Sequence, residues 1–408
     1  MSSDIEVIRV HASNRKLLDR FIRVQWFIHR EAYPNEVWVP PLMLERREFL
    51  NPDKNLFFEH AEMAMWIARK GGRDIGRIAA IEDRSWIDFH GEKTGYFGFF
   101  DAPNDAAVAG ALLDQARKWL RARGMDEMIG PMDLSTNHVC GVLLDAFDRE
   151  PCINMPYNPP WYDELLLGQG LSKAKDLIQW GIDLATPIPP RVVRIAEKMK
   201  KRAGIRVRAM SFDDWDAEVG RTFEIYNEAW EKNWGFVPVT EREFRQIAED
   251  LKLVLHPSLP LVAEIDGEAV AFALIIMNLN PLLKPLDGKL LPFGALRLLW
   301  DLKVKQRVDS GRLILLGIRA EHRRRGLDSI LFLEMAQRAK ALGWWGGEIG
   351  WTLEDNVMVN RAIENFGCEA VANYRIYTED LTGKAKAKAK ADAGEPAEAA
   401  GAGEASDD

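Results

Sequence analysis

GRLILLGIRAEHRRRGLDSILFLEMAQRAKALG, residues 311–343, predicts an apolar strand that runs into a helix. The strand spans Leu313 to Ile318, and a turn that contains the arginines 323–325 and Gly326 separates it from the helix. Glycine lets the backbone turn tightly, and the free N–H groups at a helix start can point at a phosphate. Arginine adds positive charge and forked donors that suit a diphosphate. The pattern therefore predicts a pyrophosphate-binding turn, with a solvated basic turn as the alternative.

This turn resembles the phosphate loop of the GNAT superfamily of acyl-CoA-dependent N-acyltransferases, Arg/Gln-x-x-Gly-x-Gly/Ala. Arg323, Gly326 and Asp328 occupy its three defined positions, and Asp328 departs from the pattern because an acid stands where a small residue normally faces phosphate. The family's downstream motif, Asn-x-x-Ala-x-x-x-Tyr-x-x-x-Gly-Phe, falls on Asn356, Val359, Ile363, Gly367 and Cys368. The family's tyrosine, often the general acid for the departing thiolate, is Ile363 here, so that role does not carry over.

The resemblance implies that acyl-CoA is the co-substrate. It places the acyl-CoA contacts at the strand end, the turn and the two helix starts, namely Ile318, Arg319, Arg323, Arg324, Arg325, Gly326, Leu327, Asp328, Ser329 and Asn356. We expect no metal, because the seven histidines show no H-x-x-x-H spacing and the three cysteines form no C-x-x-C.

Two similar halves flank a proline-rich break at 185–190. Each half begins with a short strand, continues with amphipathic helices and a strand hairpin, and then has a strand-to-helix step. A further strand leads to Asn137 or Asn356 at the head of another helix. The sequence therefore predicts an α/β fold of two GNAT-like domains with mixed central sheets, plus a disordered C-terminal tail. The predicted boundaries are 1–184 (degenerate N-terminal GNAT-like domain), 185–204 (Pro-rich linker and basic helix), 205–383 (C-terminal GNAT domain with a 280–311 insertion) and 384–408 (tail).

The N-terminal counterpart of the arginine-rich turn is acidic. It reads FFDAPNDAAVAG, residues 99–110, with two aspartates and no arginine. Such a loop repels a diphosphate. We therefore expect the C-terminal domain to bind acyl-CoA and the N-terminal domain to shape or support the acceptor site.

Acyl transfer to an amine needs a base for the ammonium proton and a donor for the tetrahedral oxyanion. Glu59 and His60 place a carboxylate and an imidazole beside aromatic residues, which can tune an imidazole towards neutral pH. Glu354 follows a strand beside the expected thioester. These three are the candidate catalytic residues, with a polar loop at a strand start as the alternative for the first two.

Candidate acceptor contacts lie near predicted strand ends and in a rigid aromatic turn: Ser135, Asn137, Tyr157, Asn158 and Tyr374. The segment GPMDLSTNHVCG, 130–141, occupies a strand-to-helix corner where α/β proteins often bind ligands, although its polar residues also suit helix capping. PYNPPWY, 156–162, suits either an apolar groove or a packed turn. Tyr374 lies on the final strand, where it either replaces the missing tyrosine or packs in the core.

Charge and hydropathy exclude two classes of protein. Lys plus Arg number 54 against 62 Asp plus Glu, and the net charge of −8 argues against a nucleic-acid partner. The longest apolar run, 269–277, has 9 residues, whereas a bilayer span needs about 20. The first residues lack the apolar segment of a signal peptide. We therefore expect a cytoplasmic protein.

The 280–311 insertion mixes Leu, Phe and Trp with Arg and Lys, which suits a helix on a membrane surface or over a long acyl chain. An amphipathic helix packed between domains is the alternative. The 14 tryptophans also point to apolar ligands or a membrane interface. We expect an amine acceptor that is lipid-like, with peripheral contact at the inner membrane through 280–311.

The tandem layout and the segments FFEHAEM (57–63) and PYNPPWY (156–162) resemble the bacterial ceramide synthases, which join a fatty acyl-CoA to a sphingoid amine. The resemblance implies N-acyl transfer from long-chain acyl-CoA to a sphingoid base. Three alternatives stay open: a small-molecule N-acetyltransferase, a Fem-type aminoacyl-tRNA-dependent transferase, and a non-catalytic acyl-CoA-binding module.

Overall fold

The computed structural model describes residues 5–383, except Ala203, Lys232 and Arg324. The predicted tail, 384–408, and the predicted acyl-CoA contact at Arg324 therefore lie outside the described residues.

Thirteen strands in the described part of the chain form one mixed sheet. They are β1 (Glu6–Val10), β2 (Ala61–Lys70), β3 (Arg73–Asp83), β4 (Thr94–Asp101), β5 (Glu127–Gly130), β6 (Val142–Leu143), β7 (Ser172–Asp183), β8 (Arg206–Ala209), β9 (Leu261–Ile265), β10 (Glu268–Met277), β11 (Ser310–Ile318), β12 (Gly346–Leu353) and β13 (Glu369–Asp380). Only the pairs β4–β5 and β11–β12 are parallel, and the remaining ladders are antiparallel.

Twelve α-helices, counted over the same residues, cover the sheet. They are α1 (Arg15–Phe27), α2 (Met43–Phe49), α3 (Arg84–His90), α4 (Ala106–Arg121), α5 (Tyr162–Gly168), α6 (Pro190–Arg202), α7 (Trp215–Trp230), α8 (Glu241–Lys252), α9 (Asn280–Leu283), α10 (Gly294–Lys303), α11 (Leu327–Ala341) and α12 (Val357–Asn365). A π-helical turn, Ile28–Ala32, extends α1, and short 3-10 turns span Leu56–Glu59, Lys284–Leu286 and Ala320–His322.

The two halves repeat one order of elements. In the N-terminal half it is β1-α1-α2-β2-β3, then β4-α4-β5 and finally β7. In the C-terminal half it is β8-α7-α8-β9-β10, then β11-α11-β12 and finally β13. Extra helices enter at the same point in both, α3 before β4 and α9 with α10 before β11. The predicted α/β class with two similar halves is confirmed.

Each half contributes its last strand to the sheet of the other half. β7 pairs with β12, β13 pairs with β5, and the two exchanged strands pair with each other at the centre. The sheet is therefore continuous from β1 to β8. The predicted boundaries at 184 and 205 follow the order of the chain, whereas the hydrogen-bonded sheets interlock across them.

A buried ion pair fastens β13 into the N-terminal half. Arg117 on α4 donates through Nε to an oxygen of Glu379 at 2.8 Å, and the two side chains are 9% and 4% exposed. Removing one partner of such a pair leaves an uncompensated buried charge, which costs roughly 3–5 kcal/mol. The exchange of strands is thus reinforced by side chains as well as by backbone hydrogen bonds.

The gap between the parallel strands β4 and β5 is filled by the chain itself. Their register ends at Tyr96 and Ile129, after which the segment beyond β5 lies between them. Met132 N donates to the Phe97 carbonyl, and the carboxylate of Asp133 accepts from the N–H of Phe99, both at 2.8 Å. The helix expected after Asn137 is absent from residues 131–141, where the chain forms bends and turns that an antiparallel bridge between Met132 and Cys140 closes.

The corresponding gap in the C-terminal half is not filled in this way. The parallel register of β11 and β12 ends at Leu313 and Ile349. Beyond it, β11 continues to Ile318 alongside β10, while β12 continues alongside β7. The two halves therefore share a topology but differ at the point where two parallel strands diverge.

Gly98→Ala tests the filled gap, because a Cβ at this position would lie 1.8 Å from the Met132 carbonyl oxygen. We expect a loss of about 1–3 kcal/mol in the free energy of unfolding, measured by urea titration with tryptophan fluorescence. Gly168→Ala is the control, since it ends α5 and a Cβ there meets nothing within 4 Å. Equal unfolding midpoints for both variants would contradict the close approach.

Candidate functional site

A cavity of about 530 Å³ opens at the carboxyl end of β12. Three parts of the chain line it: the end of α3, the segment after α7 and the turn between β12 and α12, with Phe89, His90, Glu231, Asn233, Trp234, Leu353, Asp355 and Asn356. Because α3 belongs to the N-terminal half, both halves build this cavity.

Two helices begin beside the gap between β11 and β12. α11 follows β11 and starts after Gly326, whose φ of +71° is the left-handed conformation that glycine adopts freely. α12 follows β12 and starts after Asn356, which lines the cavity. Neither helix has a side chain that caps its first N–H groups. Since the carboxyl ends of parallel strands meet at one edge of a sheet, the geometry suits an anionic, elongated ligand.

Three of the predicted acyl-CoA contacts serve the structure of the C-terminal half. The Arg319 guanidinium donates to Glu224 at 3.0 Å and to the Ala269 carbonyl at 3.2 Å, so it fastens the end of β11 to α7 and β10. Leu327 is buried in the core. Ile318 is the last residue of β11 and packs partly against the same core.

Apart from Asn356 at the head of α12, the remaining described contacts of this set lie at the start of α11. They are exposed or half-buried: Arg323, Arg325, Gly326, Asp328 and Ser329. Arg323 also donates to the Ala229 carbonyl at 3.1 Å, which holds the turn against the end of α7. Asp328 lies in the first turn of α11, where a carboxylate is stabilised by the helix dipole.

His60 lies between two carboxylates. Its Nδ1 is 2.8 Å from an oxygen of Asp83, and its Nε2 is 3.3 Å from an oxygen of Glu243 on α8 of the other half. Burial lowers the pKa of His60, but the hydrogen bonds to the two carboxylates outweigh it and raise the pKa to about 9. At neutral pH the ring is therefore an imidazolium that joins the halves, a state that suits a proton donor rather than a base.

The other two predicted catalytic carboxylates are held by cations. Glu59 is exposed and pairs with Arg242 at 2.6 Å. Glu354 pairs with Lys173 at 2.6 Å and accepts from the N–H of Asp176 at 3.0 Å. In both residues these contacts occupy carboxylate oxygens that a general base would need to accept the substrate proton.

The predicted acceptor residues of the 130–141 segment serve the junction of the halves. Ser135 Oγ is 3.0 Å from Nδ1 of His138, and burial lowers the pKa of His138 to about 4, so that this ring is neutral. Asn137 accepts a hydrogen bond from the Tyr226 hydroxyl of α7 at 3.0 Å. Neither predicted residue is among those that line the cavity at Asn356.

The other three predicted acceptor residues are buried, Tyr374 on β13 and Tyr157 and Asn158 in the turn before α5. Asn158 binds both the N–H and the carbonyl of Leu143, which fixes the packed turn. Tyr157 donates to the Phe147 carbonyl at 2.7 Å. Tyr157 and Tyr374 line a second, much smaller cavity. The structure therefore does not bring the five predicted acceptor contacts into one site.

His90 is a cavity residue that the sequence did not single out. Its Nε2 is 2.8 Å from the Phe236 carbonyl, and its ring lies 3.9 Å from the ring of Trp86, measured between centroids. A carbonyl can only accept, so Nε2 carries a hydrogen and a neutral ring has its lone pair on Nδ1. No local sequence motif marks His90 as a site residue. Its carbonyl partner comes from the other half of the chain, so the pairing leaves no pattern in the neighbouring sequence.

The sequence predicts that the protein has no metal site and no membrane-spanning segment. Within the described ranges, no group of three or more His, Cys, Asp or Glu side chains is arranged to hold a metal ion. No helix there is long and apolar enough to cross a bilayer. The predictions of a metal-free, cytoplasmic protein stay predictions.

The pKa of His60 makes stability depend on pH. A pKa raised from 6.5 to about 9 adds stability that is fully present below pH 6.5 and is lost as the pH rises to 9. The free energy of unfolding should fall by on the order of 2 kcal/mol over this range in the wild type, and His60→Gln should lack this slope. Urea titrations at several pH values measure it. Glu59→Gln, which breaks only an exposed pair, should keep it.

The fold is that of GNAT proteins. A tandem GNAT protein from the clavulanic acid biosynthesis pathway superposes with a TM-score of 0.56 at 14% identity, over 93% of this chain and 99% of that chain. A GCN5-related N-acetyltransferase from Sphaerobacter thermophilus superposes with a TM-score of 0.52 at 13% identity, over 92% and 96%. The predicted GNAT resemblance is confirmed.

Relatives are found at higher identity. No protein-family model matches the chain. Protein YghO of Escherichia coli K12 is 33% identical over 360 residues, 86% of this chain and 90% of the relative. A bacterial ceramide synthase of Caulobacter vibrioides is 38% identical over 388 residues, 93% of this chain and 98% of the relative. At this identity over nearly the full length, and with the tandem GNAT fold, the chain belongs to the bacterial ceramide synthase family.

Proposed function

We propose that this protein transfers a long-chain acyl group from acyl-CoA to the amino group of a sphingoid-type lipid amine. The observation that carries the proposal is the 38% identity with the Caulobacter vibrioides ceramide synthase over 93% of the chain. The gap between β11 and β12 and the cavity at the carboxyl end of β12 support the proposal.

Acyl-CoA binds in the C-terminal half in this proposal. Its diphosphate lies at the start of α11, near the exposed Arg323 and Arg325, and its thioester points towards Asn356. The N-terminal half has no equivalent place, because Met132 and Asp133 fill the gap between β4 and β5. One acyl-CoA per chain is expected.

Apolar side chains at the mouth of the cavity support a lipid acceptor. Val357, Met358 and Val359 form the first turn of α12 directly after Asn356, and they are 48%, 77% and 41% exposed. Phe89, which lines the cavity, is also exposed. Water disfavours such a group of apolar side chains, whereas an aliphatic chain would cover them.

His90 is the base in this proposal. Its Nδ1 takes a proton from the substrate ammonium, directly or through a water, and the neutral nitrogen attacks the thioester carbonyl. The C–N bond forms, the C–S bond breaks, and the departing thiolate takes up the second proton that the nitrogen loses. Because Nε2 is held by the Phe236 carbonyl, the ring keeps Nδ1 available for this transfer.

Glu59, His60 and Glu354 stay candidates for catalysis. His60 as an imidazolium suits proton donation, and its link to Glu243 ties the N-terminal half to α8. Glu354 holds Lys173 and the backbone of β7. These contacts support positioning roles for His60 and Glu354 in the proposed reaction.

The reaction is tested with purified protein, palmitoyl-CoA or acetyl-CoA, and a panel of amines that includes a sphingoid base and small polyamines. We expect N-acyl sphingoid product with palmitoyl-CoA, detected by mass spectrometry, and free CoA in equal amount. Preference for acetyl-CoA with small amines would point to a small-molecule acetyltransferase. Binding without any turnover would favour an acyl-CoA-binding module.

His90→Ala tests the base. Loss of a general base lowers kcat by about 100-fold or more, whereas the KM for acyl-CoA should change little because His90 belongs to α3 and the proposed diphosphate site is at the start of α11. Added imidazole should restore part of the rate. His256→Ala is the matched control, since His256 is half-buried and bonded to Ser258. If His60→Gln abolishes turnover and His90→Ala does not, the assignment of the base is wrong.

A further inference from the structure

The insertion between β10 and β11 exposes a set of large apolar side chains. These side chains lie on α10 or within a few residues of its ends, and each is between 54% and 75% exposed: Leu291, Phe293, Leu296, Leu299, Trp300 and Val304. Spacings of three and four residues place most of them along one side of the helix. We call this surface the α10 face.

An ordinary surface helix buries apolar side chains and exposes polar ones, whereas α10 buries a carboxylate and exposes apolar side chains. Its one buried residue is Asp301, 5% exposed, while Leu296, Leu299 and Trp300 are exposed. Leu298 and Leu302 are half-buried, and Leu302 packs against the core. The buried carboxylate is matched by Arg307 at 3.3 Å and Arg297 at 3.8 Å. Exposed apolar area costs free energy in water, so this arrangement is favourable only when something apolar covers the α10 face.

Contacts with the N-terminal half hold the segment before α10 in place. Asp287 accepts a hydrogen bond from Trp26 at 2.8 Å and pairs with Arg30 at 2.5 Å. The Gly288 carbonyl accepts from the N–H of Met43 at 3.0 Å. The α10 face therefore projects from a packed base on α1 and α2.

The charges around the α10 face indicate what kind of surface covers it. Residues 289–307 carry five exposed cations, Lys289, Arg297, Lys303, Lys305 and Arg307. Their only acid is the buried Asp301, so the stretch has a net charge of +4 (5 − 1), in a chain whose net charge is −8. Asp287 and Asp309 lie just outside it. A second copy of the chain would bring two such positive faces together, which is unfavourable.

We infer that the α10 face binds the surface of an anionic lipid bilayer. Leu, Phe and Trp enter the boundary between headgroups and acyl chains, and the lysines and arginines contact lipid phosphates. The helix has ten residues and is therefore about 15 Å long, so it lies along the surface. This surface stands independently of the proposed reaction, although it would bring the protein to the place where a lipid amine resides.

Vesicle flotation tests the inference with the full-length protein. We expect it to float with vesicles of phosphatidylcholine that contain phosphatidylglycerol, and much less with phosphatidylcholine alone or at high salt. The triple variant Leu296→Ser, Leu299→Ser, Trp300→Ser and the double variant Lys289→Glu, Lys303→Glu should each bind at least about tenfold more weakly. Because these side chains are exposed, the thermal unfolding of each variant should match the wild type.

The matched control is Leu167→Ser with Ile195→Ser, which removes exposed apolar side chains from α5 and α6. It should float like the wild type. Undiminished flotation of the triple variant would overturn the inference, as would equal binding to neutral vesicles. A concentration-dependent dimer that the triple variant abolishes, without vesicle binding by the wild type, would instead assign the α10 face to a protein contact.

Discussion

The two halves of this protein exchange the strands β7 and β13, and the backbone hydrogen bonds of these strands hold the halves together. Each strand completes the sheet of the opposite half, and the two pair with each other at the centre. Separating the halves would break the ladders β7–β12, β7–β13, β13–β5 and β13–β6, as well as the buried pair of Arg117 with Glu379. The register of these strands therefore fixes the position of one half relative to the other. The residues from both halves that line the cavity are held in fixed positions as a result.

The exchange lets one half specialise. Both halves have a pair of parallel strands that diverge, but the N-terminal pair is filled by the segment that carries Met132 and Asp133. That segment then reaches α7 of the other half through Asn137 and Tyr226. In the N-terminal half the chain itself thus occupies the space between these strands, and α3 forms a wall of the cavity beside β12.

Two histidines show how the environment divides roles. His60 lies between carboxylates from both halves, and the raised pKa keeps it charged as a link between them. His90 lines the cavity, and its Nε2 contacts a carbonyl instead of a carboxylate. The same side chain is a cation in one place and a candidate base in the other because the groups opposite its nitrogens differ.

Local patterns in the sequence were sufficient for the elements. The apolar run ends at Ile318 and the helix starts after Gly326, as predicted, because hydrophobic periodicity and a glycine turn act over a few residues. The internal repeat and Asn356 at the head of α12 followed from the same kind of pattern. The helix expected after Asn137 was wrong, because residues 131–141 instead close on themselves in bends and turns between Met132 and Cys140.

By itself, then, the sequence determined the α/β class, the two similar halves and the glycine turn that starts α11. Tertiary structure alone decided which residues meet. The partner of His60 on α8 lies 183 positions away, and the carbonyl that orients His90 lies 146 positions away. It also decided that α10 turns its apolar side outward. Such pairings depend on the register of exchanged strands, and no spacing along the chain encodes that register.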